Sequence, residues 1–413
     1  MLRDAQLYSS HPPNRTAEGL VGGTSLPPTS YFSADYFSAR ARFISAAERM
    51  GWERHTLPID APGPNGEPLS IDVAVAGSRR PTSAVVVTSG VHGVEGFFGS
   101  AVQLAFLDRL SPGWRPPEGT ALILIHALNP FGFAWRRRFN EHNVDLNRNF
   151  LLADESYAGS PPLSGTFRRA MLRAGAQRRL DLSAARMALL AMRHGLRSFW
   201  ETLPVGQYDF PDWLFFGGHA RSQSAHVLHE LMPRLLDGAT ETVHLDFHTG
   251  LGRWTDCQLL LCEVGERGHA GWWKNHFGEA AVKEPATATG AYQVRGGFGR
   301  WLKSHLPNCD YRFATAEFGT YSPARVIQAL VRELGSNAHL GSQSADHWTR
   351  RQLSEVFVPR SKRWRTSSLE RGVSLIQRAT DVLWQSAESS QIKKPANAAN
   401  LVLPAEAACS QSA

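Results

Sequence analysis

The chain has 413 residues, of which 42% are hydrophobic and 20% charged, and its net charge is +7. That balance suits a globular enzyme and excludes a fibrous, low-complexity or disordered chain. No apolar run approaches the ~18 residues that a membrane span requires, and the arginines are scattered pairs (Arg168 and Arg169, Arg178 and Arg179, Arg350 and Arg351) without interleaved aromatics. Neither a membrane nor nucleic acid is therefore an expected partner.

Residues 1–30, rich in Ser, Pro, Gly and Thr, read as a flexible N-terminal arm with no basic-then-apolar signal pattern. The four cysteines form no C-x-x-C pair. Small buried side chains, rather than a disulfide framework, are their expected role, and a cytoplasmic location follows.

Strands are expected over 70–76 and 83–89, split by the turn at Gly77–Thr82. The second strand, centred on A-V-V-V-T, is apolar on both faces, as a central strand should be. A helix follows over 94–110, then a buried strand over 121–128 carrying L-I-L-I. The Arg-, Ala- and Leu-rich stretch 165–203 has helical spacing and reads as an insertion. Further strands are expected over 242–248, 258–262 and 311–318, and helices over 224–236, 322–334, 345–356 and 366–388. The fold class is α/β: a mixed, largely parallel central sheet with helices on both faces. One catalytic domain spans 31–385, followed by a flexible tail over 386–413.

Chemistry-bearing residues cluster where strands end, which is where ligands gather in such sheets. His92-Gly93-Val94-Glu95 follows a buried strand in the turn that opens a helix. An imidazole and a carboxylate three positions apart can converge on one ion there, and zinc accepts such a nitrogen and oxygen set with a position left open. Taken alone, H-x-x-E is also an ordinary chance pattern of a strand-to-helix loop. In His244-Leu245-Asp246-Phe247-His248, alternation puts His244, Asp246 and His248 on one face. His248 is nearest the strand end and is the better ligand; Asp246 could orient an imidazole from behind, and His244 reads as a core histidine.

Three further blocks follow: Asn129-Pro130-Phe131-Gly132 with Arg136-Arg137-Arg138-Phe139-Asn140, then Asp145-Leu146-Asn147-Arg148-Asn149-Phe150, and later Ala314-Thr315-Ala316-Glu317-Phe318. The triple arginine run reads equally as a solvated basic patch. A carboxylate inside an apolar strand, as at Glu317, is costly unless it has a purpose, either chemical or as half of a salt bridge.

The order H-x-x-E, N-P-x-G, Arg, D-L-N-R-N-F, His and then Glu resembles the zinc carboxypeptidases, over about residues 31 to 385. H-G-V-E-G and D-F-H-T-G-L-G are similar to a little-characterised bacterial branch of that superfamily. The resemblance implies one Zn²⁺ per chain, held by His92, Glu95 and His248. It implies that Asn147 and Arg148 grip a substrate carboxylate, since a guanidinium fork matches a carboxylate bidentately. An arginine of the triple run would stabilise the oxyanion; Arg138 fits because Asn140 follows two residues later, with Arg137 the alternative. Glu317 would be the general base and then deliver the proton to the leaving amine.

Tyr292, in the segment Tyr292-Gln293-Val294-Arg295-Gly296-Gly297, resembles the family's mobile tyrosine that closes over substrate; it reads equally as a tyrosine packed under a loop. Arg295 would favour an acidic side chain or a second carboxylate on the substrate.

The resemblance thus implies a metallocarboxypeptidase acting on small peptides or peptide-like substrates. The D-F-H-T wording is also similar to zinc deacylases such as aspartoacylase and succinylglutamate desuccinylase, which release an N-acyl group from an amino acid. A non-catalytic peptide-binding module is disfavoured because both ligand blocks and Glu317 are present, and no G-x-S-x-G elbow supports a serine hydrolase. Oligomeric state is not legible.

Overall fold

A computed structural model describes residues 26–172, 183–195, 198, 202–262, 269–284, 294–340 and 344–392. Its centre is an eight-stranded sheet: β1 (Glu53–Ile59), β2 (Leu69–Gly77), β3 (Ser83–Ser89), β4 (Thr120–His126), β5 (Glu241–Thr249), β6 (Cys257–Leu261), β7 (Val282–Lys283) and β8 (Asp310–Phe318). The spatial order is β1-β2-β4-β3-β5-β8-β6-β7. The four central strands β4, β3, β5 and β8 run parallel, while β1, β2 and β6 join antiparallel. The sheet is mixed, with its parallel part at the centre.

β3 and β4 are buried at every position, as residues apolar on both faces require. On one face, Phe247 of β5 packs in an aromatic group with Phe98, which in turn meets Trp364 of the helix Lys362–Ile392. On the other, His244 of β5 meets Phe298 of the helix Phe298–His305 edge-on. Helices therefore cover both faces.

Several elements went unassigned from sequence, among them the helices Pro130–Ala134, His269–Phe277 and Phe298–His305 and the strand β7, and two at the start of the domain. The first is α1 (Tyr36–Arg49), whose start is capped by the Asp35 carboxylate accepting the Ser38 N–H at 2.7 Å, and which buries Tyr36, Ala39, Phe43, Ala46 and Ala47 along one stripe. The second is β1, an edge strand whose polar, Pro-containing sequence hides it.

The expected insertion is represented by helices Ser164–Leu172 and Ser183–His194. The last helix continues to Ile392, so the composition boundary at residue 386 falls inside it. Cys257, Cys262 and Cys309 are half-buried and unbridged; Cys409 and Tyr292 lie outside the described residues. No helix among the described residues is long and apolar enough to cross a membrane.

His126 closes β4 in the core, stacked on Phe43 at 4.8 Å and within 3.0 Å of the Ser100 hydroxyl. Burial lowers its pKa to about 4. Because the folded value lies below that of the unfolded chain, near ~6.5, this group stabilises the fold fully above that pH and progressively less as pH falls towards 4. Between pH 7.5 and pH 5 the loss is on the order of 2 kcal/mol. Urea denaturation of wild type and His126→Gln at both pH values checks this: the wild type should lose about 2 kcal/mol more than the variant on acidification.

Candidate metal centre

The site forms at the C-terminal ends of three adjacent parallel strands. β3 leads through Gly90 into His92 and Glu95, β5 ends at His248, and β8 carries Glu317 in register beside His248. The chain leaves β3 for β4 on one side and later returns as β5 on the other, so the crevice lies at a topological switch point.

Gly93 shows why this loop needs glycine. A Cβ there would lie 2.1 Å from the backbone carbonyl carbon of Gly132, so the two loops cross in backbone contact. That approach allows Gly93 N–H to donate to Arg138 O at 3.1 Å and Val94 N–H to Arg137 O at 2.8 Å. Asn129 reinforces the crossing, accepting from Gly132 N–H at 2.8 Å and donating to Arg138 O at 3.2 Å. The N-P-F-G block is therefore a brace that brings the arginine run alongside the His92–Glu95 turn.

Here the three arginines diverge. Arg137 turns away and is buried against Glu333 at 2.7 Å and Asn143 at 3.0 Å. Arg136 donates to the Ala34 carbonyl at 2.9 Å. Arg138 alone enters the cluster, with Nε donating to Asp145 at 3.1 Å, Nη1 to Glu95 at 3.2 Å and Nη2 lying 2.7 Å from His92 Nε2.

His92, Glu95 and His248 are all buried and close enough to share one metal ion. His92 Nδ1 is 3.1 Å from His248 Nδ1 and 2.9 Å from Glu95 Oε1, and His248 Nδ1 is 3.2 Å from Glu95 Oε2. Neighbouring ligand atoms on a tetrahedron around zinc stand about 3.3 Å apart, given Zn–N lengths of ~2.05 Å. Each imidazole's outer nitrogen faces a carboxylate: His248 Nε2 lies 2.7 Å from Asp246, and His92 Nε2 lies 3.2 Å from Asp145. At His248 such a partner places the proton on the outer nitrogen and turns the Nδ1 lone pair inward. At His92 the nearer contact, Arg138 Nη2, can only donate, so Asp145 holds an outer proton there only when Arg138 turns aside. With Arg138 aside, two lone pairs face each other beside a carboxylate, an arrangement that a cation between them relieves. The donor set fits zinc.

The charges agree. Burial alone would raise the pKa of Asp145, but Arg138 and His92 outweigh it and hold the carboxyl well below its ordinary range. Asp246 and Glu95 are likewise lowered against their burial, Asp246 chiefly by His248 and Glu95 by His92 and His248. Burial works against the charged form of His248, yet Asp246 and Glu95 raise its pKa well above the usual value. With both imidazoles neutral, three carboxylates oppose the one guanidinium in contact with them, leaving a charge of −2 that a dication balances.

Glu317 behaves differently. Burial first, and then the Glu95 charge, push its pKa up to about 7. Its Oε1 accepts the Leu251 N–H at 2.8 Å, and Oε2 takes no protein partner among the described residues. A carboxylate poised near neutrality beside His248 and Glu95 is suited to moving a proton.

Of the D-L-N-R-N-F block, Asp145 serves the cluster, and the side chain of Asn149 ties down the 217–222 loop. Asn147 Oδ1 accepts the Phe298 N–H at 3.1 Å. Arg148 is buried, donating from Nε and Nη2 to the Pro204 carbonyl and from Nη1 to that of Asn147. Two of its five N–H groups, one on each terminal nitrogen, take no partner among the described residues. Arg295 stands outside the cluster: it donates to the carbonyls of Ser156 and Ala158 and lies over the Tyr208 ring.

Phe215 was not anticipated. Its ring lies 5.4 Å from the Arg138 guanidinium and 5.7 Å from that of Arg148, between the two cations. Its φ of +55° is a conformation that a bulky side chain rarely adopts. Nothing in Phe215-Phe216-Gly217 announces this, because the position depends on how the 202–217 segment folds back over Arg148.

The family described as "Protein of unknown function (DUF2817)" matches residues 32–371. The chain belongs to that family. No match is found among the curated proteins.

Solved structures similar to this chain are so at low identity. Bovine thrombin-activatable fibrinolysis inhibitor, in complex with tick carboxypeptidase inhibitor, is 9% identical over 86% of this chain and 99% of its own, with a TM-score of 0.45. Carboxypeptidase A from Helicoverpa armigera is 11% identical over 84% and 73%, with a TM-score of 0.44. A metallo-carboxypeptidase from Burkholderia cenocepacia is 12% identical over 84% and 69%, with a TM-score of 0.39. The likeness is one of fold.

Proposed function

We propose that the chain is a zinc-dependent hydrolase that cleaves an amide bond next to a free carboxylate, as a carboxypeptidase of small peptides does. The observation that carries this reading is the pair of inward-facing Nδ1 atoms beside Glu95, backed by Asp145 and Asp246, with Arg138 and Glu317 at its edge.

Zinc, when bound by His92, Glu95 and His248, polarises a carbonyl and makes water a nucleophile near neutral pH. Glu317 then takes the proton of the attacking water on Oε2, since Oε1 is already committed to Leu251, and hands it to the leaving amine. The Nη2 group of Arg138, which donates to His92 Nε2 here, would turn towards the oxyanion and leave the outer proton of His92 to Asp145. Arg148 keeps one N–H on each terminal nitrogen for a carboxylate, and the Asn147 side chain, whose oxygen is committed to the Phe298 N–H, keeps its amide nitrogen for the same group.

Removing one oxyanion donor typically costs about 10²–10³-fold in turnover. Arg138→Ala is therefore expected to lose that much kcat while still binding zinc, as steady-state kinetics and metal analysis of the same preparation will show.

A second reading, an N-acyl-amino-acid deacylase, is favoured by Phe215 and the Pro204 carbonyl, which crowd the space around Arg148 and suit a short substrate. Metal analysis followed by a substrate panel tests both. Free peptides, their C-terminal amides and N-acyl amino acids are compared with zinc saturating. Cleavage of peptides but not of their amides supports the first reading, and cleavage of N-acyl amino acids alone supports the second. A purified chain that neither carries nor takes up a divalent metal sinks the proposal.

A further inference from the structure

Behind His248 runs a buried chain of hydrogen bonds across one face of the sheet. Asp246 accepts from two sides: His248 Nε2 at 2.7 Å on Oδ2, and the Thr88 hydroxyl at 2.6 Å on Oδ1. Thr88 Oγ1 also lies 2.9 Å from His244 Nε2, and His244 Nδ1 lies 2.7 Å from the Tyr311 hydroxyl. The register explains the line. Thr88 sits beside Asp246 on the neighbouring strand, and alternation puts His244, Asp246 and His248 on one face with Tyr311 and Glu317 of β8. All five members of the chain are buried, with Thr88, His244 and Asp246 fully so.

Its polarity is forced from the carboxylate end. An ionised Asp246 can only accept, so Thr88 spends its single proton on Oδ1. Towards His244, Thr88 can then only accept, which places the imidazole proton on Nε2. A neutral histidine carries one such proton, so Nδ1 must be the acceptor, and Tyr311 donates to it. Burial keeps His244 neutral by lowering its pKa to about 4. Reversing any one hydrogen would leave a buried donor facing a donor, or an acceptor facing an acceptor.

We propose that Thr88, His244 and Tyr311 are positioning residues for the metal ligand His248: acting through Asp246, they lock its Nε2–H tautomer and hold Nδ1 towards the ion. This rests on the metal reading above, but it assigns work to residues that touch neither the ion nor the substrate. A single carboxylate behind a ligand can rotate, whereas one held from both sides cannot.

Outer partners of a metal ligand typically contribute 10–100-fold to metal affinity. Thr88→Val keeps the shape of the side chain and deletes both hydrogen bonds. It is expected to weaken zinc binding about 10-fold in a chelator competition, whereas Thr88→Ser, which keeps the hydroxyl, stays within about threefold of wild type.

A second measurement needs no variant. In the metal-free wild type, nitrogen NMR should find the His244 proton on Nε2 and none on Nδ1. A His244 proton on Nδ1, or a Thr88→Val chain that binds zinc as tightly as a zinc-binding wild type, overturns the relay alone. A wild type that binds no divalent metal overturns the metal reading, and the relay's role with it.

Discussion

His248→Ala is expected to weaken zinc binding by more than the ~100-fold that loss of an outer partner alone can cost, and to bring turnover to background. The reason is geometric. His248 supplies one of only two nitrogens in the cluster, and its Nδ1 stands within 3.2 Å of both His92 Nδ1 and Glu95 Oε2. Without it, Asp246 loses the partner that chiefly holds it ionised against its burial, and Glu95 loses one of the two imidazoles beside it. Chelator competition and turnover on one preparation check the expectation. The same two measurements on wild type dialysed against chelator should show activity lost and then restored by zinc. A variant that keeps tight zinc binding would remove His248 from the ligand set.

Glu317→Gln is expected to separate chemistry from metal binding. The substitution keeps the size of the side chain and an oxygen for the Leu251 N–H, but no longer carries a group that can take a proton near neutral pH. General acid–base catalysis contributes about 10²–10⁴-fold, and a loss of kcat in that range is anticipated with zinc affinity unchanged. Stability should not fall: burial and the neighbouring Glu95 both disfavour charge at this position, so a neutral amide is less costly there than a carboxylate. Full activity in Glu317→Gln would transfer the base role elsewhere.

The two variants fail in opposite ways. His248→Ala loses the metal and therefore the reaction, while Glu317→Gln retains the metal and loses only the proton step. Arg138→Ala should fall between them, because the proposed oxyanion donor also neutralises Asp145. A drop in zinc affinity in Arg138→Ala beyond the kcat loss would measure that second service.

Much of this was legible in the sequence because the chemistry sits at strand ends, and strand ends are marked locally. A run such as A-V-V-V-T can only be a central strand, so the turn after it, carrying His92 and Glu95, had to lie in the crevice. Alternation on β5 put Asp246 and His248 on one face without reference to any other element. β1 and α1 escaped because an edge strand needs little apolar pattern and a short helix at the margin of the core offers only a partial stripe.

What the tertiary structure decided was the direction of side chains that local pattern treats alike. Within the arginine run only the Asn140 that follows two residues later marked Arg138; the backbone crossing at Gly93 and Gly132 is what sends Arg138 to Glu95 and Arg137 to Glu333. His244 reads as a core histidine, and its place in a polar chain ending at Tyr311 depends on three strands lying in register. Phe215 stands between two guanidiniums because a distant segment folds back over them. The sequence by itself determined which residue types stand at the strand ends, and so which three side chains could share an ion, since strand periodicity is a short-range property. Which partners the three arginines take, which histidine is wired to His248 through Asp246 and which aromatic ring lies over Arg138 and Arg148 were decided by contacts between segments far apart in the chain.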